Sequence, residues 1–492
     1  MDARSLVAVL WSLADKLPNP GIRASFPAGG TSRDARATPG PKGLGNVLAA
    51  LRFQRDPLAF LERASQSYGD VTRLQLGPVT AMIVHHPRHV QQVLVERASL
   101  YGKPSRVKRV LAPLVGEGMF TSEGEMWRSQ RRVAQPLFTR AALSDTLPIV
   151  NDASQLFVER LALHSRNGRV VDLSLEATRF AMHVAARAFL GIDVEEADDL
   201  ALQVRKGSRF VAKQLLGLVP LPESLPTPGA RAYREVIRRV HGVCQRLIDR
   251  RRAEPPRDDY VGQVLCAVHP RTGTPFSDRE IRHQLSTMFM AGYDTTANAL
   301  SWMFYLLARD RNAATRVREE ARAVLDGRPP STGDFVNLVQ TMRVIEESNR
   351  LYPNAWIILR EALKEDEFDS YPVPKGALVF IATWLTHRDP RWWERPADFE
   401  PDRFSPERSV GQVKGAYYPF GAGQRICIGE PIPARPQKGC DHLCCGQRRR
   451  VDRNASGRRG PPAQLHLRLG PRRRLAWRQQ QGKIGILQEL LQ

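Results

Sequence analysis

The chain has 492 residues, of which 42% are hydrophobic and 25% charged, a composition typical of a folded globular protein and not of a disordered one. Its net charge is +22, and residues 431–492 contribute half of the excess, with 14 Lys and Arg against 3 Asp and Glu. Length alone would predict about three domains. The six cysteines show no regular spacing, so we predict no disulfide framework and expect a cytoplasmic protein.

Residues 1–43 are predicted to be a flexible lead-in, because residues 18–45 are rich in Pro, Gly and small polar residues. The apolar stretch Ser5–Leu13 is too short to span a bilayer, and we expect no transmembrane anchor. The folded domain is predicted to cover residues 44–430. Helical periodicity dominates it to about residue 370, with two short β-like runs between residues 71 and 86.

A long helix is predicted to begin after Ser277. Ser277 and Glu280 form a capping-box pattern, and Phe276 and Ile281 can pack together across the cap. The apolar pattern continues to about Ala308, which gives a helix of about 45 Å. Because the pattern is apolar on nearly all sides, we expect this helix to cross the middle of the molecule.

Polar residues interrupt the centre of this helix. Gly292, Asp294, Thr295 and Thr296 are poor or middling helix formers, and a carboxylate buried at mid-helix is costly unless it has a partner. Such a local conflict often marks a functional site. The structural alternative is that the Thr hydroxyls bond back to backbone carbonyls while Asp294 reaches a surface.

A cysteine lies in a glycine-rich loop near the end of the folded domain, in the sequence Pro419-Phe-Gly-Ala-Gly-Gln-Arg-Ile-Cys-Ile-Gly429. Backbone N–H groups of such a loop, together with Arg425, would favour the thiolate of Cys427 over the thiol. A buried, inert cysteine is the alternative.

This loop resembles the haem-binding signature F-x-x-G-x-R-x-C-x-G of the cytochrome P450 family, with Phe420, Gly423, Arg425, Cys427 and Gly429 at its fixed positions. The resemblance implies a mainly α fold with small β-sheets, with haem b between the central helix and the cysteine loop. It also implies that Cys427 is the thiolate ligand of the haem iron, while the other four residues surround the cofactor.

Further motifs follow in the order that this resemblance implies. Ala291-Gly292-Tyr-Asp294-Thr295-Thr is similar to the oxygen-activation helix of the family, where Ala291 and Gly292 lie beside the haem while Asp294 and Thr295 relay protons. A single domain is therefore expected. Trp127 and Arg131 match a W-x-x-x-R motif, and with Arg360 and Arg425 they resemble binders of the haem propionates.

Glu347 and Arg350 are similar to the E-x-x-R pair of the family, which Arg403 would complete. Taken alone the pattern is weak, since it also occurs at Glu125–Arg128, Glu235–Arg238 and Glu319–Arg322, where exposed helical pairs are the natural interpretation. We assign Glu347, Arg350 and Arg403 to folding and not to chemistry.

The resemblance implies a monooxygenase that inserts one oxygen atom of O2 into an organic substrate. NAD(P)H would supply electrons through a ferredoxin or flavodoxin-type donor and its reductase. The resemblance also implies that residues of about 100–120, 210–225 and 355–358 line the pocket together with the central helix. These stretches are mostly apolar here, which predicts a lipophilic substrate. The alternatives are peroxide-driven or isomerase chemistry, which Asp294 and Thr295 argue against, and a non-catalytic haem protein.

Residues 431–492 depart from the family pattern. Prolines at 431, 433 and 436 disfavour the helix that follows the cysteine loop in the family. The rest of this segment is rich in Arg, Pro and Gly, a composition typical of translation in a shifted reading frame. We expect a disordered tail and, as an alternative outcome for the whole chain, a haem-deficient polypeptide. A zinc site at Cys440, His442, Cys444 and Cys445 fits no usual spacing, and too few aromatics accompany the charges for nucleic-acid binding.

Overall fold

A computed structural model describes residues 38–430, apart from residues 77–78, 168–169, 193–203, 205–206, 208–209 and 216–226. The predictions for residues 1–37 of the lead-in and for the tail at 431–492 lie outside the described residues.

The described residues are mainly helical, which confirms the predicted fold class. The α-helices with their bounds are α1 Leu44–Arg55, α2 Pro57–Tyr68, α3 Pro87–Gln91, α4 Ser105–Val115, α5 Gly124–Ala134, α6 Arg140–Arg166, α7 Leu173–Ala185, α8 Pro228–Ala253, α9 Tyr260–Leu265, α10 Asp278–Arg309, α11 Arg311–Leu325, α12 Val339–Leu351, α13 Thr383–Thr386 and α14 Pro406–Ser409. Short 3-10 or π turns lie between several of them.

The central helix α10 begins where the sequence predicts. Ser277 is its N-cap, and the reciprocal hydrogen bonds of the capping box with Glu280 are both present. Phe276 and Ile281, on either side of the cap, are both buried. Most of α10 is buried between α7, α8, α4 and α12, so it crosses the core as expected.

Five strands form one sheet and two form a hairpin. The strands are β1 Val71–Leu76, β2 Val79–Val84, β3 Tyr101–Gly102, β4 Ile358–Ala362, β5 Asp366–Phe368, β6 Tyr371–Val373 and β7 Leu378–Ile381. The larger sheet has the order β1-β2-β7-β4-β3, in which only β2 and β7 run parallel, and β5 pairs with β6. The predicted β-like runs correspond to β1 and β2, whereas β4–β7 were not predicted, because each is only three to five residues long.

Two segments that are distant in sequence face each other in the core. One wall is α10, and the facing wall is the loop Pro419–Gly429, which is held against the turn that follows α3. Within the described residues, no helix is long and apolar enough to cross a membrane.

Candidate active site

The cysteine loop is shaped by its glycines. Gly421 and Gly423 both have positive φ values, of 74° and 72°, and residues Gly423–Arg425 form a 3-10 turn. A Cβ atom on Gly423 would overlap the carbonyl oxygen of Leu94, so only glycine allows this approach. The amide of Cys427 donates to the carbonyl of Phe420 at 2.9 Å, which closes the loop.

A cavity joins this loop to the central helix. Cys427 and its neighbours Arg425, Ile426, Ile428 and Gly429 form one side of the cavity, and six residues of α10 form the opposite side: Thr287, Met288, Ala291, Gly292, Thr295 and Thr296. Most of the other wall residues are apolar, among them Met119, Phe120, Trp127, Phe138, Leu143, Leu147, Val150, Val184, Phe189 and Phe335. An apolar cavity with a few polar groups is typical of a small-molecule site.

The protein around Cys427 favours its thiol form over the thiolate. Burial raises the pKa of its side chain to about 11, while the backbone N–H of Gly429 and the guanidinium of Arg131 oppose that shift. The sequence predicted Arg425 as the nearby cation, but the structure assigns this electrostatic contact to Arg131, whose Nη1 donates to the carbonyl of Ile426 at 2.6 Å. A positive ion bound at the sulfur would favour the thiolate.

Four cations lie in or near this cavity: Lys103 and Arg360 are buried, and Arg131 and Arg425 are partly buried. Arg131, Arg425 and Lys103 line the cavity, and Arg360 is only 7% exposed. Burial, together with the positive charges of Arg360 and Arg131, lowers the pKa of Arg425 to about 10, although the nearby carboxylate of Glu123 acts to raise it. A guanidinium held among other cations favours an anionic ligand, because an anion would relieve this repulsion.

The side chains of this cluster are oriented by contacts within the protein. Arg425 donates to the carbonyl of Ser122 at 2.9 Å, and its guanidinium carbon lies 4.1 Å from the ring centroid of Trp127. Lys103 lies 4.1 Å above the ring of Phe120. The sequence did not predict a role for Lys103, since only long-range packing buries this lysine beside the cysteine loop.

The polar residues at the centre of α10 behave in two ways. The hydroxyls of Thr295 and Thr296 each donate to a carbonyl one turn earlier, those of Ala291 and Gly292, both at 2.9 Å. This is the back-bonding that the structural alternative proposed. Burial raises the pKa of Asp294 to about 7, so that its carboxyl group can hold or release a proton near neutral pH.

Glycine at position 292 makes room for a neighbouring ring. A Cβ atom there would lie 2.8 Å from Cε2 of Phe189. Gly292 therefore lets the turn that follows α7 pack closely against α10, and this contact forms part of the cavity wall.

Glu347, Arg350 and Arg403 come together away from the cavity. Arg350 makes two hydrogen bonds to the carboxylate of Glu347, at 2.7 and 2.8 Å, and Nε of Arg403 lies 3.3 Å from the same carboxylate. The side chains of Glu347 and Arg350 are fully buried. Arg350 also donates to the carbonyls of His387, Pro396 and Asp398, so this network ties α12 to the segment that leads to the cysteine loop.

Not every predicted wall residue reaches the cavity. Residues 355–358 are buried but do not line it, and residues 216–225 lie outside the described part of the chain. Lys103, Met119 and Phe120 from the predicted 100–120 segment do line it.

Comparison with known proteins gives a consistent result. The family model described as Cytochrome P450 matches residues 38–435. Cyclooctatin synthase of Streptomyces melanosporofaciens is 34% identical, covering 81% of this chain and 86% of the relative. Cyclooctat-9-en-7-ol 5-monooxygenase of the same organism is 32% identical, with coverages of 79% and 83%. Pentalenene oxygenase of Streptomyces avermitilis is 31% identical, with coverages of 77% and 84%.

Solved structures show the same fold. The structure titled "Retinoic acid bound cyanobacterial CYP120A1" superposes with a TM-score of 0.73 at 24% identity, covering 84% of this chain and 92% of that one.

Proposed function

Because the chain belongs to the cytochrome P450 family, we propose that its haem-thiolate monooxygenase chemistry acts on a cyclic hydrocarbon of terpene type, or on an alcohol derived from one. The apolar wall of the cavity at Cys427 carries this proposal. Two of the similar proteins are named as oxygenases of pentalenene and of cyclooctat-9-en-7-ol, which supports the same substrate class.

The residues present fit the haem that the family implies. We propose haem b, with Cys427 as the iron ligand and Arg131, Arg360 and Arg425 at the two propionates. The mutual repulsion of these arginines supports the assignment, since two carboxylates would neutralise it. We propose Lys103 as a further cation at the propionates, because this buried lysine lines the same cavity.

Haem held by these residues would supply the chemistry by which one oxygen atom of O2 enters the substrate and the other, with two electrons and two protons, becomes water. This chain's residues then have two tasks. The apolar wall excludes water and orients the substrate. Asp294 holds a proton near neutral pH, and Thr295 presents a hydroxyl at the cavity wall, so we propose these two as the proton relay.

Electron supply from redox partners follows from the family. We propose NAD(P)H as the source, with a ferredoxin or flavodoxin-type donor and its reductase as carriers. The unpaired cysteines 244, 266 and 427 support a reducing cytoplasm as the compartment. We also propose that residues 44–430 form one catalytic domain and that residues 431–492 are a frame-shifted tail.

The test uses the full chain loaded with haem, a surrogate plant-type ferredoxin with its reductase, NADPH and isotopically labelled O2. Pentalenene and cyclooctat-9-en-7-ol are the probes. We expect one labelled oxygen atom in the product, measured by mass spectrometry. Unlabelled product, or turnover with peroxide alone and none with O2, would contradict the proposal.

A further inference from the structure

One helix carries more than half of the net positive charge of residues 1–430. Residues 1–430 have a net charge of +11, and α8 has eight arginines against only Glu235 and Asp249, a net charge of +6 in 26 residues. More than half of the excess is thus concentrated in a helix of about 39 Å.

These arginines form a stripe on the outside of the protein. The apolar face of α8 is buried, and the exposed positions include six arginines, here named the arginine stripe: Arg231, Arg234, Arg238, Arg246, Arg250 and Arg252. All six arginines have interactions within the protein, for example with Glu235 for Arg238, Asp278 for Arg252 and Glu254 for Arg250. Exposed pairs of this kind are weak and can exchange partners.

The stripe lies on the far side of α10 from the cavity. Sγ of Cys244 on α8 is 3.7 Å from Oγ of Ser286 on α10, whereas Thr295 lines the cavity. Ser286 and Thr295 are separated by about two and a half turns, so they face opposite sides of α10. An electron donor bound at the stripe would be separated from Cys427 by the thickness of α10.

α8 also covers the segment that leads to the substrate side of the cavity. The hydroxyl of Tyr233 donates to the carbonyl of Val110 at 3.0 Å, and Nε2 of His241 lies 2.8 Å from the carbonyl oxygen of Leu114. Both carbonyls belong to α4, which is followed directly by the cavity residues Met119 and Phe120.

The absence of exposed large apolar side chains on α8 indicates the kind of partner that it can bind. The structure describes α8 over its whole length, and none of its large apolar side chains is exposed. Protein–protein interfaces have an apolar, closely packed core, which this helix does not offer. A flat anionic lipid surface requires only charge, and arginine forks match phosphate groups.

We propose that the arginine stripe binds an anionic lipid surface. The protein would then lie with α8 against the bilayer and the cysteine loop facing away from it. A lipophilic substrate dissolved in the bilayer would enter beside α4. This last consequence rests on the proposed function, whereas lipid binding itself does not.

The experiment measures co-sedimentation of the full chain with vesicles of phosphatidylcholine containing about 40% phosphatidylglycerol. The test variant combines Arg238→Glu, Arg246→Glu and Arg250→Glu. The control variant makes the same change in net charge with Arg63→Glu, Arg311→Glu and Arg322→Glu, which are exposed on α2 and α11. The basic tail is identical in all three proteins, and circular dichroism checks that each is folded.

We expect binding to these vesicles and none to pure phosphatidylcholine. The test variant should lose about tenfold or more in affinity, and the control variant less than about twofold. Equal losses in both variants would overturn the proposal, because binding would then depend on total charge. Equally tight binding to poly-glutamate would also overturn it, in favour of an acidic protein partner. No catalytic step enters the measurement, so its failure is distinct from failure of the proposed function.

Discussion

Glu347 and Arg350 form a fully buried ion pair, with Nε of Arg350 2.7 Å from Oε2 of Glu347. Removal of one partner leaves the other charged and buried. We therefore expect Glu347→Gln to lower the free energy of unfolding by about 3–5 kcal/mol, although neither residue lines the cavity. Urea denaturation measures this effect.

Glu235→Gln is the matched control, because Glu235 and Arg238 have the same spacing on a helix, but Arg238 is exposed to solvent and Glu235 is partly exposed. We expect this change to have little effect on stability. Equal losses in both variants would mean that burial does not distinguish the two pairs.

Sequence patterns predicted the parts of the site that are local in the chain. The capping box located the start of α10, and the signature around Cys427 located the loop, since both depend on neighbouring residues. Lys103 was missed because its burial results from packing between distant segments. The same reason explains why Arg131, and not the adjacent Arg425, acts on the sulfur. The short strands β4–β7 form through pairing that no local periodicity reveals.

The close approach of the cysteine loop to Leu94 predicts that alanine is more destabilising at Gly423 than at Gly411. Gly423 and Gly411 both have positive φ, but a Cβ on Gly423 would overlap the carbonyl oxygen of Leu94, while Gly411 has nothing within 4 Å. Gly411→Ala should cost about 1 kcal/mol from backbone strain alone. Gly423→Ala should cost clearly more and should weaken haem binding, measured by haem titration. Equal costs would mean that the contact with Leu94 is unimportant.

Thr295 and Thr296 offer a matched pair for the proton relay. Both line the cavity, and both hydroxyls donate to a carbonyl one turn earlier, at the same distance. Since only Thr295 is assigned to the relay, Thr295→Ala should lower product formed per NADPH consumed by about tenfold or more, whereas Thr296→Ala should keep it. Similar losses in both variants would point to a structural role for the two hydroxyls.

The electrostatics of Cys427 can be titrated in the cofactor-free protein. Burial raises the pKa of its thiol to about 11, and Arg131 lowers it. Alkylation of Cys427, followed by mass spectrometry of its peptide, should accelerate as the pH approaches 11. Arg131→Leu should move this midpoint upward because a cation is lost. Arg425→Leu should leave the midpoint of alkylation nearly unchanged. A larger shift in Arg425→Leu than in Arg131→Leu would mean that Arg425 is the cation that lowers the pKa of Cys427.

Asp294 gives a prediction about stability and pH. Burial raises the pKa of its carboxyl group from 3.8 to about 7, so the folded state favours the protonated form. The stability that depends on this proton is fully present below pH 3.8 and is lost as the pH rises through 7.

Asp294→Asn removes the titrating group at nearly constant size. Relative to the parent, the variant should gain roughly 2–4 kcal/mol of stability between pH 4 and pH 8. Thermal or urea unfolding at the two pH values measures this difference. The same substitution should slow O2-dependent turnover by about a hundredfold, because the asparagine side chain cannot release a proton at neutral pH. A variant equally stable at both pH values relative to the parent would show that Asp294 is charged in the folded protein, and the relay would then need another acid.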